Sequence, residues 1–423
     1  MAREHLRYTG LPQRLSAYRC THNLPATTLA RQAGLSPQAV SQIERGQVIP
    51  GIDTVEKISR AAACDPGWLA YGLPVKGLTP HISVVPDYDP TAMVCELCSI
   101  LMGPGGIIDD AHKYLDPLGA HEWRMLLRES ASESLSSVGP LDQLVGLMAP
   151  ELQDRPTDIV GLGCGTAQHE LALARKLLSR RRRDLRLLLI DISQPLLALA
   201  VQDAAKQLSG PHAVPVFAFL GDFHHLAEFW HLCTDEVPRR RIFTMLGYTF
   251  SNLDNEIQFL RRSLSLAQPG DYLVLDIPLA ATDSTDPAEI RRRDPRLTNK
   301  RPEAWTSSAH RFFAGPIQRH LIGISSLEIT PELDTSSCLV KGSYAVIAVA
   351  HVKLLNGEQK RFRVGYSKRY NTDLLARHME SEGWLLRQTE PYGSGQALLC
   401  FQRRESSKST RKRVVAPVTK KST

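Results

Sequence analysis

Residues 158–166 read Asp-Ile-Val-Gly-Leu-Gly-Cys-Gly-Thr, a short apolar run that breaks into alternating glycines. A second apolar run, residues 185–190, ends in Asp191. A strand, a glycine turn, a helix and a second strand ending in an acid is a common way to hold a nucleotide-like cofactor. Glycine lets the backbone approach the ligand, and the acid accepts hydrogen bonds from ribose hydroxyls. A purely structural tight turn has the same glycine spacing. The candidate cofactor-binding residues of this stretch are Gly161, Gly163, Gly165 and Asp191.

Between residues 158 and 277, sequence patterns typical of strands alternate with patterns typical of helices. Alternation at this spacing predicts an α/β Rossmann-like domain, with a parallel sheet covered by helices on both faces. The charged, proline-broken stretch 280–316 is interpreted as a long insertion or lid. Later strands are predicted at 344–352 and 397–403, with a helix at 372–382 between them. The predicted parallel strands are 158–161, 185–190, 214–219, 241–246 and 271–277.

Composition limits the class of protein. The 423 residues are 43% hydrophobic and 22% charged, which is ordinary for a globular chain of two or three domains. The net charge of +7 permits nucleic acid as a partner without requiring it. No apolar stretch approaches the length of a membrane span, and the first residues show no apolar secretion signal. We therefore expect no membrane partner. Because the eight cysteines have no disulfide-framework spacing, we also expect a reducing, cytoplasmic location.

Two groups of potential metal ligands occur in the sequence. Cys95-x-x-Cys98 is a single pair without the second pair that a zinc site of this type needs. The other group lies where a loop and the next helix would surround a cofactor, and it lacks tight ligand spacing. We therefore expect no metal site. The residues of this second group are His224, His225, His231 and Cys233.

Four segments follow from these patterns. Residues 11–73 read as an all-α bundle of short helices, and residues 110–404 form the α/β domain. Residues 74–109 are interpreted as a linker because Pro and Gly are frequent at its start. Residues 405–423 are basic and have no apolar period, which predicts a disordered tail.

The N-terminal bundle contains a specific motif. Within residues 28–46, Gly34 allows a sharp turn, and Ser36 caps a helix that has Pro37 at its first position. The run resembles the helix-turn-helix of the Cro/cI-like (XRE) DNA-binding family, and the resemblance extends over residues 11–73. The positions that match the family are Ala30, Gly34, Leu35, Val40, Ile43 and Glu44-Arg45-Gly46.

This resemblance implies double-stranded DNA as a partner. Val40 and Ile43 would face the core, so the other face of the helix would enter the major groove. Glutamine pairs well with adenine, serine is a versatile partner, and arginine suits phosphate. One such unit binds weakly, so we expect a homodimer on paired half-sites. A protein-interaction module on the same scaffold is the alternative. The candidate DNA-binding residues are Gln38, Ser41, Gln42 and Arg45.

The α/β domain carries further motifs in a fixed order. A third strand ends in Gly-Asp-Phe at 221–223, and a fourth leads to Leu-Gly-x-Thr-x-x-Asn-Leu at 246–253. With Pro-Gly-Asp at 269–271, these resemble class I S-adenosylmethionine (SAM)-dependent methyltransferases. More narrowly, Lys113-Tyr114-Leu115-Asp116 and Ser367-x-x-Tyr370 are similar to the family of the ergothioneine-pathway histidine Nα-methyltransferase. The resemblance covers about residues 110–403.

The resemblance implies SAM as the cofactor and assigns roles to individual residues. Asp222 joins the glycines and Asp191 as a cofactor contact, whereas Tyr114, Asn252 and Ser367 would face the substrate. Two departures from the family are evident. Gly365 replaces a substrate-contacting glutamate, and a tyrosine-rich segment is missing at 130–138. Histidine therefore does not follow as the substrate. We expect Gly365 to leave space for a bulkier or less charged acceptor, or the pocket to serve only as a sensor.

The combination of these two domains allows three functions. The first is a DNA-binding transcriptional regulator with an active methyltransferase domain for an amino-acid-like or other small amine acceptor. The second is a regulator whose second domain is a catalytically silent sensor of SAM or a metabolite. The third, methylation of DNA, is disfavoured because the chain has no Pro-Cys dipeptide for attack on cytosine C5. Residues 247–253 also lack the Asn/Asp-Pro-Pro-aromatic motif used on exocyclic amines.

Overall fold

A computed structural model describes most of the chain. The residues described are 10–21, 24–62, 64, 66–71, 82–129, 139–152, 155–179, 184–208, 213–234, 237–298 and 307–405. The disordered tail predicted for 405–423 lies outside this range except for its first residue, as does the departure from the family at 130–138.

The N-terminal domain is an all-α bundle, as the sequence predicts. Gly34 ends the second helix in the left-handed region (φ +66°), and the Ser36 hydroxyl accepts a hydrogen bond of 3.1 Å from the backbone N–H of Ala39. Val40 and Ile43 are buried against the other helices, which fixes the opposite face of their helix outward. The helices are α1 Leu11–Thr21, α2 Ala26–Ala33, α3 Pro37–Glu44, α4 Ile52–Ala62 and α5 Pro66–Tyr71.

An eight-stranded sheet forms the centre of the α/β domain. Its order is β1-β5-β4-β3-β6-β7-β12-β11; the first six strands are parallel, and β12 is antiparallel to both β7 and β11. The strands are β1 Ile82–Val84, β3 Thr157–Leu162, β4 Leu185–Asp191, β5 Val216–Leu220, β6 Arg240–Met245, β7 Tyr272–Pro278, β11 Trp384–Tyr392 and β12 Gln396–Arg403.

Helices cover both faces of this sheet. Alternate residues of β3 belong to opposite cores, since Ile159 packs in one apolar cluster and Val160 in the other. Leu187 and Leu188 of β4 divide in the same way. The strands are therefore apolar on both faces, as expected for a buried parallel sheet. The helices are α8 Pro140–Leu152, α9 Gln168–Ser179, α10 Gln194–Gln207, α11 Leu226–Phe229, α12 Glu256–Arg262 and α16 Thr372–Ser381.

A smaller four-stranded sheet, in the order β2-β10-β9-β8, is built from chain segments far apart in sequence. The stretch 280–316, interpreted as an insertion or lid, contributes helices to this part of the domain. The strands are β2 Gly105–Ile107, β8 Ile324–Asp334, β9 Tyr344–Leu354 and β10 Gln359–Arg369. The helices are α6 Pro90–Met102, α7 Pro117–Glu129, α13 Pro287–Arg293, α14 Pro295–Thr298 and α15 Ser307–His320.

The linker predicted for residues 74–109 needs correction from residue 82 onward. This part contains β1, α6 and β2, and β1 pairs with β5 while β2 pairs with β10. The strands are only three residues long, and their partners lie more than 130 residues further along the chain. A strand of three residues is too short to show the alternation of apolar and polar residues that predicts a strand. The frequent Pro and Gly residues therefore led to the prediction of a linker.

Candidate functional site

A cavity of about 1000 Å³ opens at the carboxyl ends of the parallel strands. The segments that follow β3, β4, β5 and β6 all contribute to its lining, which is the usual position of a ligand site in an open α/β sheet. Tyr114 and Asn252 also line the cavity, so two of the three predicted substrate residues lie beside the predicted cofactor residues.

The glycine turn after β3 is held against the end of β4. The backbone N–H of Gly163 donates to the Ile190 carbonyl at 2.9 Å, and that of Gly165 donates to Asp191 Oδ2 at 2.6 Å. Both glycines have positive φ, +63° and +54°, a conformation that favours glycine. A side chain at Gly163 would begin only 2.8 Å from Cγ2 of Thr249. The turn thus presents bare backbone to the cavity.

Gly161 has a different environment from the other two glycines. It lies within β3 and is not among the residues that line the cavity. A Cβ at this position would stand 3.0 Å from Cγ of Glu170, whose carboxylate accepts a hydrogen bond from Thr244 at 3.1 Å. Burial raises the pKa of Glu170 to about 7. Gly161 therefore makes room for a buried side chain behind the turn.

Asp191 lines the cavity and is 6% exposed. Its Oδ1 accepts a hydrogen bond from the Ser193 N–H at 2.8 Å, and its Oδ2 accepts the bond from Gly165. Burial raises the pKa of Asp191 to about 6, although these backbone N–H groups act in the opposite direction. The ionised carboxylate keeps further lone pairs for a ligand hydroxyl.

Asp222 follows β5 and is half-exposed at the cavity wall. Its Oδ1 accepts a bond from the His224 backbone N–H at 2.8 Å and lies 2.7 Å from His224 Nδ1. Burial alone would raise the pKa of Asp222, but the bond and charge of His224 lower it overall. Asp222 raises the pKa of His224 in return, against the effect of burial.

Aromatic side chains form one wall of the cavity beside the glycine turn. The rings of Tyr114 and Trp123 meet edge to face with centroids 5.7 Å apart, and Phe312 packs against both. A side chain at Gly165 would begin 3.6 Å from Nε1 of Trp123. Burial raises the pKa of Tyr114 well above its ordinary value, so its phenol stays protonated.

Ser367, the third predicted substrate residue, is not among the residues that line the cavity. Its hydroxyl accepts a hydrogen bond of 2.9 Å from Arg369, whose guanidinium is buried. The structure instead places Arg363 and Tyr366 of the same strand in the cavity lining. The guanidinium of Arg363 stacks on the Tyr366 ring at 4.8 Å and donates to Asp254 Oδ1 at 2.8 Å.

Gly365 lines the cavity, but the space expected there is filled. A Cβ at this position would stand 2.5 Å from Cε1 of Phe313 and 3.1 Å from the Cβ of Ala348. The ring of Phe313 thus occupies the place where a glutamate side chain would begin. The expectation that Gly365 leaves room for a bulkier acceptor is therefore wrong.

Sequence reasoning missed several residues of the cavity, among them Tyr88, Trp123, Asp254 and Arg363. Tyr88 and Trp123 belong to segments without a recognised motif. Arg363 stands two positions before Gly365, and Asp254 directly follows the 246–253 motif. Proximity to these motifs is the signal that could have pointed to Asp254 and Arg363.

The predicted DNA-binding residues share the outer face of α3. Gln38 and Arg45 are exposed, and Ser41 and Gln42 are half-exposed. The Nε of Arg45 donates to the Ser41 carbonyl at 3.2 Å. An ion pair between Arg19 of α1 and Glu44, with one contact of 2.8 Å, fixes the end of the helix on its inner side.

The structure gives no metal site among the residues it describes: no three His, Cys, Asp or Glu side chains there are grouped to hold an ion. His225 contacts Glu228 instead, with Nδ1 at 3.1 Å from a carboxylate oxygen. Among the residues that the structure describes, no helix is long and apolar enough to cross a membrane.

Two family models match the chain. The model described as helix-turn-helix matches residues 15–69, and the model described as histidine-specific methyltransferase, SAM-dependent, matches residues 141–287. The chain carries an XRE-type helix-turn-helix domain and a SAM-dependent methyltransferase domain. The methyltransferase domain is the α/β domain described above, and SAM is its cofactor.

Solved structures resemble each domain separately. A SAM-dependent methyltransferase from Clostridium acetobutylicum is 10% identical over 67% of this chain and 99% of its own, with a TM-score of 0.36. Magnesium protoporphyrin IX methyltransferase from Synechocystis, with bound S-adenosylhomocysteine, is 12% identical over 69% of this chain and 96% of its own, with a TM-score of 0.38. The P22 c2 repressor in complex with synthetic operator is 28% identical over 15% of this chain and 96% of its own, with a TM-score of 0.15. Among curated proteins no relative matches the chain.

The cavity of the methyltransferase domain fits SAM in size and chemistry. Its volume lies at the upper end of the range for small-molecule sites. The buried carboxylate of Asp191 suits vicinal hydroxyls, and Gly163 and Gly165 line the cavity with backbone that carries no side chain.

Proposed function

We propose that this protein is a cytoplasmic, DNA-binding transcriptional regulator that transfers a methyl group from SAM to a small amine, amino-acid-like acceptor. The observation that carries the proposal is one cavity of the methyltransferase domain, which opens at the carboxyl ends of the parallel strands. It joins the glycine turn and Asp191 to Asn252 and Tyr114, so a donor and an acceptor have room side by side. The exposed face of α3 on the same chain supports the regulatory part.

In this proposal the cofactor contacts come from three successive strand ends. Gly163 and Gly165 would face the methionine part of SAM, Asp191 the ribose and Asp222 the adenine amino group. The separate position of Gly161 makes it a packing residue rather than a contact. Ser367 likewise contacts Arg369 and stands outside the lining of the cavity, so we assign it no contact with the acceptor.

Bound SAM supplies a methyl sulfonium that is already activated toward a nucleophile. The protein therefore has to align a neutral amine with the methyl–sulfur bond and exclude water. No side chain of the protein needs to form a covalent intermediate. Asn252 would orient the acceptor, and the Tyr114–Trp123 wall would exclude water. Held by the glycine turn, Asp191 and Asp222, SAM would supply the methyl group and keep its sulfur as a thioether. The proton of the methylated amine would pass to a carboxylate of the cavity or, after product release, to solvent.

A catalytically silent sensor of SAM is the second candidate, and one observation favours it. Phe313 stands where the related methyltransferases carry a substrate-contacting glutamate, so the acceptor side has lost a polar group. Incubating the intact chain with labelled SAM and small-molecule cell extract separates the two functions. Transfer that Asn252→Ala abolishes supports the enzyme; SAM binding without transfer supports the sensor.

We expect the SAM affinity to fall below pH 6. The ionised carboxylate of Asp191 accepts from ribose hydroxyls, and its pKa is about 6 in the folded protein. Each pH unit below that value should weaken binding by up to about tenfold. Calorimetry with S-adenosylhomocysteine between pH 5 and 8 measures the effect. Asp191→Asn is the matched control: a variant that keeps the full pH dependence would assign it to Glu170 or Asp276, which also titrate near neutrality.

For DNA, we expect Gln42→Ala to relax the preference at one base pair at a cost of about 1–3 kcal/mol in binding. Gln42 lies on the outer face of α3, so its removal leaves the core intact. Operators selected from random duplexes by the intact homodimer provide the assay. Gln47, exposed in the turn after the helix, gives a matched control as Gln47→Ala. A selection that enriches no sequence would contradict the regulatory proposal.

A further inference from the structure

The segment that begins at Ile82, the first residue described after the helix-turn-helix domain, extends the methyltransferase sheet. Strand β1 pairs in parallel with β5, in the register Ile82↔Ala218 to Val84↔Leu220. The backbone N–H of Val85 continues this pairing with a hydrogen bond of 3.1 Å to the Leu220 carbonyl. The segment therefore runs alongside β5 to the end that carries Gly221 and Asp222.

Val85 fits closely against Gly221 at this strand end. Its side chain is 5% exposed, and a Cβ at Gly221 would stand 2.4 Å from Cγ2 of Val85. Gly221 directly precedes Asp222, the proposed adenine contact. The packing of β1 thus reaches the backbone that positions a cofactor residue.

Tyr88 continues from this contact over the cavity. Its backbone N–H donates to the Val85 carbonyl at 3.1 Å, which turns the chain back across the strand ends. Its hydroxyl donates to the Ile192 carbonyl at 3.1 Å, directly after Asp191. Burial, followed by the charge of Asp191, raises the pKa of Tyr88. The phenol therefore stays neutral and keeps its proton for this bond.

The segment is also held at its other end. The carboxylate of Asp89 accepts hydrogen bonds from the backbone N–H groups of Thr91 and Ala92, at 2.9 and 3.0 Å, and so caps α6. Residues 82–89, which we term the connector strap, thus bridge a sheet edge and a helix start. Four of its residues, Val85, Asp87, Tyr88 and Asp89, line the same cavity as Asp191, Ile192 and Asp222.

We propose that Tyr88 is a cofactor-contacting residue and that SAM occupancy stabilises the connector strap on the sheet. This inference rests on the proposed cofactor contacts at Asp191 and Asp222. A three-residue edge strand contributes little stability by itself. A ligand that binds the closed strap and the strand ends together lowers the frequency of strap opening by mass action. The chain segment next to the DNA-binding domain then responds to the cofactor.

Hydrogen exchange on the full-length chain, with and without saturating S-adenosylhomocysteine, tests the proposal. The ligand is expected to slow exchange at residues 82–88 about tenfold or more, together with residues 163–166 and 191–193. Tyr88→Ala should weaken S-adenosylhomocysteine binding about tenfold, and the ligand should no longer protect the strap. Val84→Ala, on the exposed side of the same strand at 60% exposure, is the matched control and should behave as the wild type.

The outcomes separate this inference from the proposed function. Protection at 163–166 and 191–193 with unchanged exchange at 82–88 would overturn the role of the strap and leave the cofactor site standing. Wild-type affinity in Tyr88→Ala would overturn the contact in the same way. Absence of protection at all three segments would overturn both the strap and the cofactor contacts on which it rests.

Discussion

Replacement of Gly163 by valine is expected to abolish binding of SAM and S-adenosylhomocysteine. Gly163 has φ +63°, and left-handed backbone costs a β-branched residue about 1–2 kcal/mol or more. Its new Cβ would also stand 2.8 Å from Cγ2 of Thr249 and 3.2 Å from Cε1 of Phe223. Thr249 and Phe223 both line the cavity, so the turn would have to shift away from both side chains.

Calorimetry and the shift of the unfolding temperature with S-adenosylhomocysteine measure this loss. Gly323→Val is the matched control, because Gly323 has φ +78° but nothing within 4 Å of its Cβ position, away from the cavity. It carries the same backbone strain without the collision. A Gly163→Val protein that is folded and binds the ligand with wild-type affinity would show that the glycine turn does not hold the cofactor.

Gly365→Glu is expected to destabilise the methyltransferase domain rather than to introduce histidine methylation. The Cβ of the glutamate would stand 2.5 Å from Cε1 of Phe313, which is much closer than van der Waals contact allows. Overpacking of this kind costs about 1–3 kcal/mol, and a carboxylate forced against apolar groups adds to that cost. The midpoint of urea unfolding should therefore fall, while histidine remains a poor acceptor or none.

A second substitution distinguishes collision from other causes. In Gly365→Glu combined with Phe313→Ala, the ring is gone and the side chain has space. We expect the double variant to be more stable than the sum of the two single changes predicts. Additive losses in the double variant, or a fully stable Gly365→Glu single variant, would show that Phe313 does not fill this position in solution.

The helix-turn-helix domain could be predicted almost completely because its signals are local. The left-handed Gly34, the capping hydroxyl of Ser36 and the inward Val40 and Ile43 all act within one or two helical turns. The main strands of the Rossmann-like sheet were also predicted, since buried parallel strands form continuous apolar runs. The sequence likewise placed Gly163, Gly165 and Asp191 at one site, because they end neighbouring strands.

Contacts across long stretches of sequence were beyond prediction. Strand β2 pairs with β10 at Gly105↔Arg361, and the Lys113 Nζ donates to the Val364 carbonyl at 3.1 Å. No local period indicates such partners. Ser367 illustrates the consequence for the site: a family motif predicted a substrate contact, but its strand directs Arg363 and Tyr366 to the cavity instead.

The sequence by itself determined the two domains, the glycine turn and the acids that end β4 and β5, because each depends on backbone conformation within a short segment. Only the tertiary structure decided that Phe313 fills the space at Gly365 and that Tyr88 covers the strand ends. Both depend on side chains delivered from distant segments, and close packing allows one occupant for each volume. Which residue becomes that occupant is a property of the assembled domain.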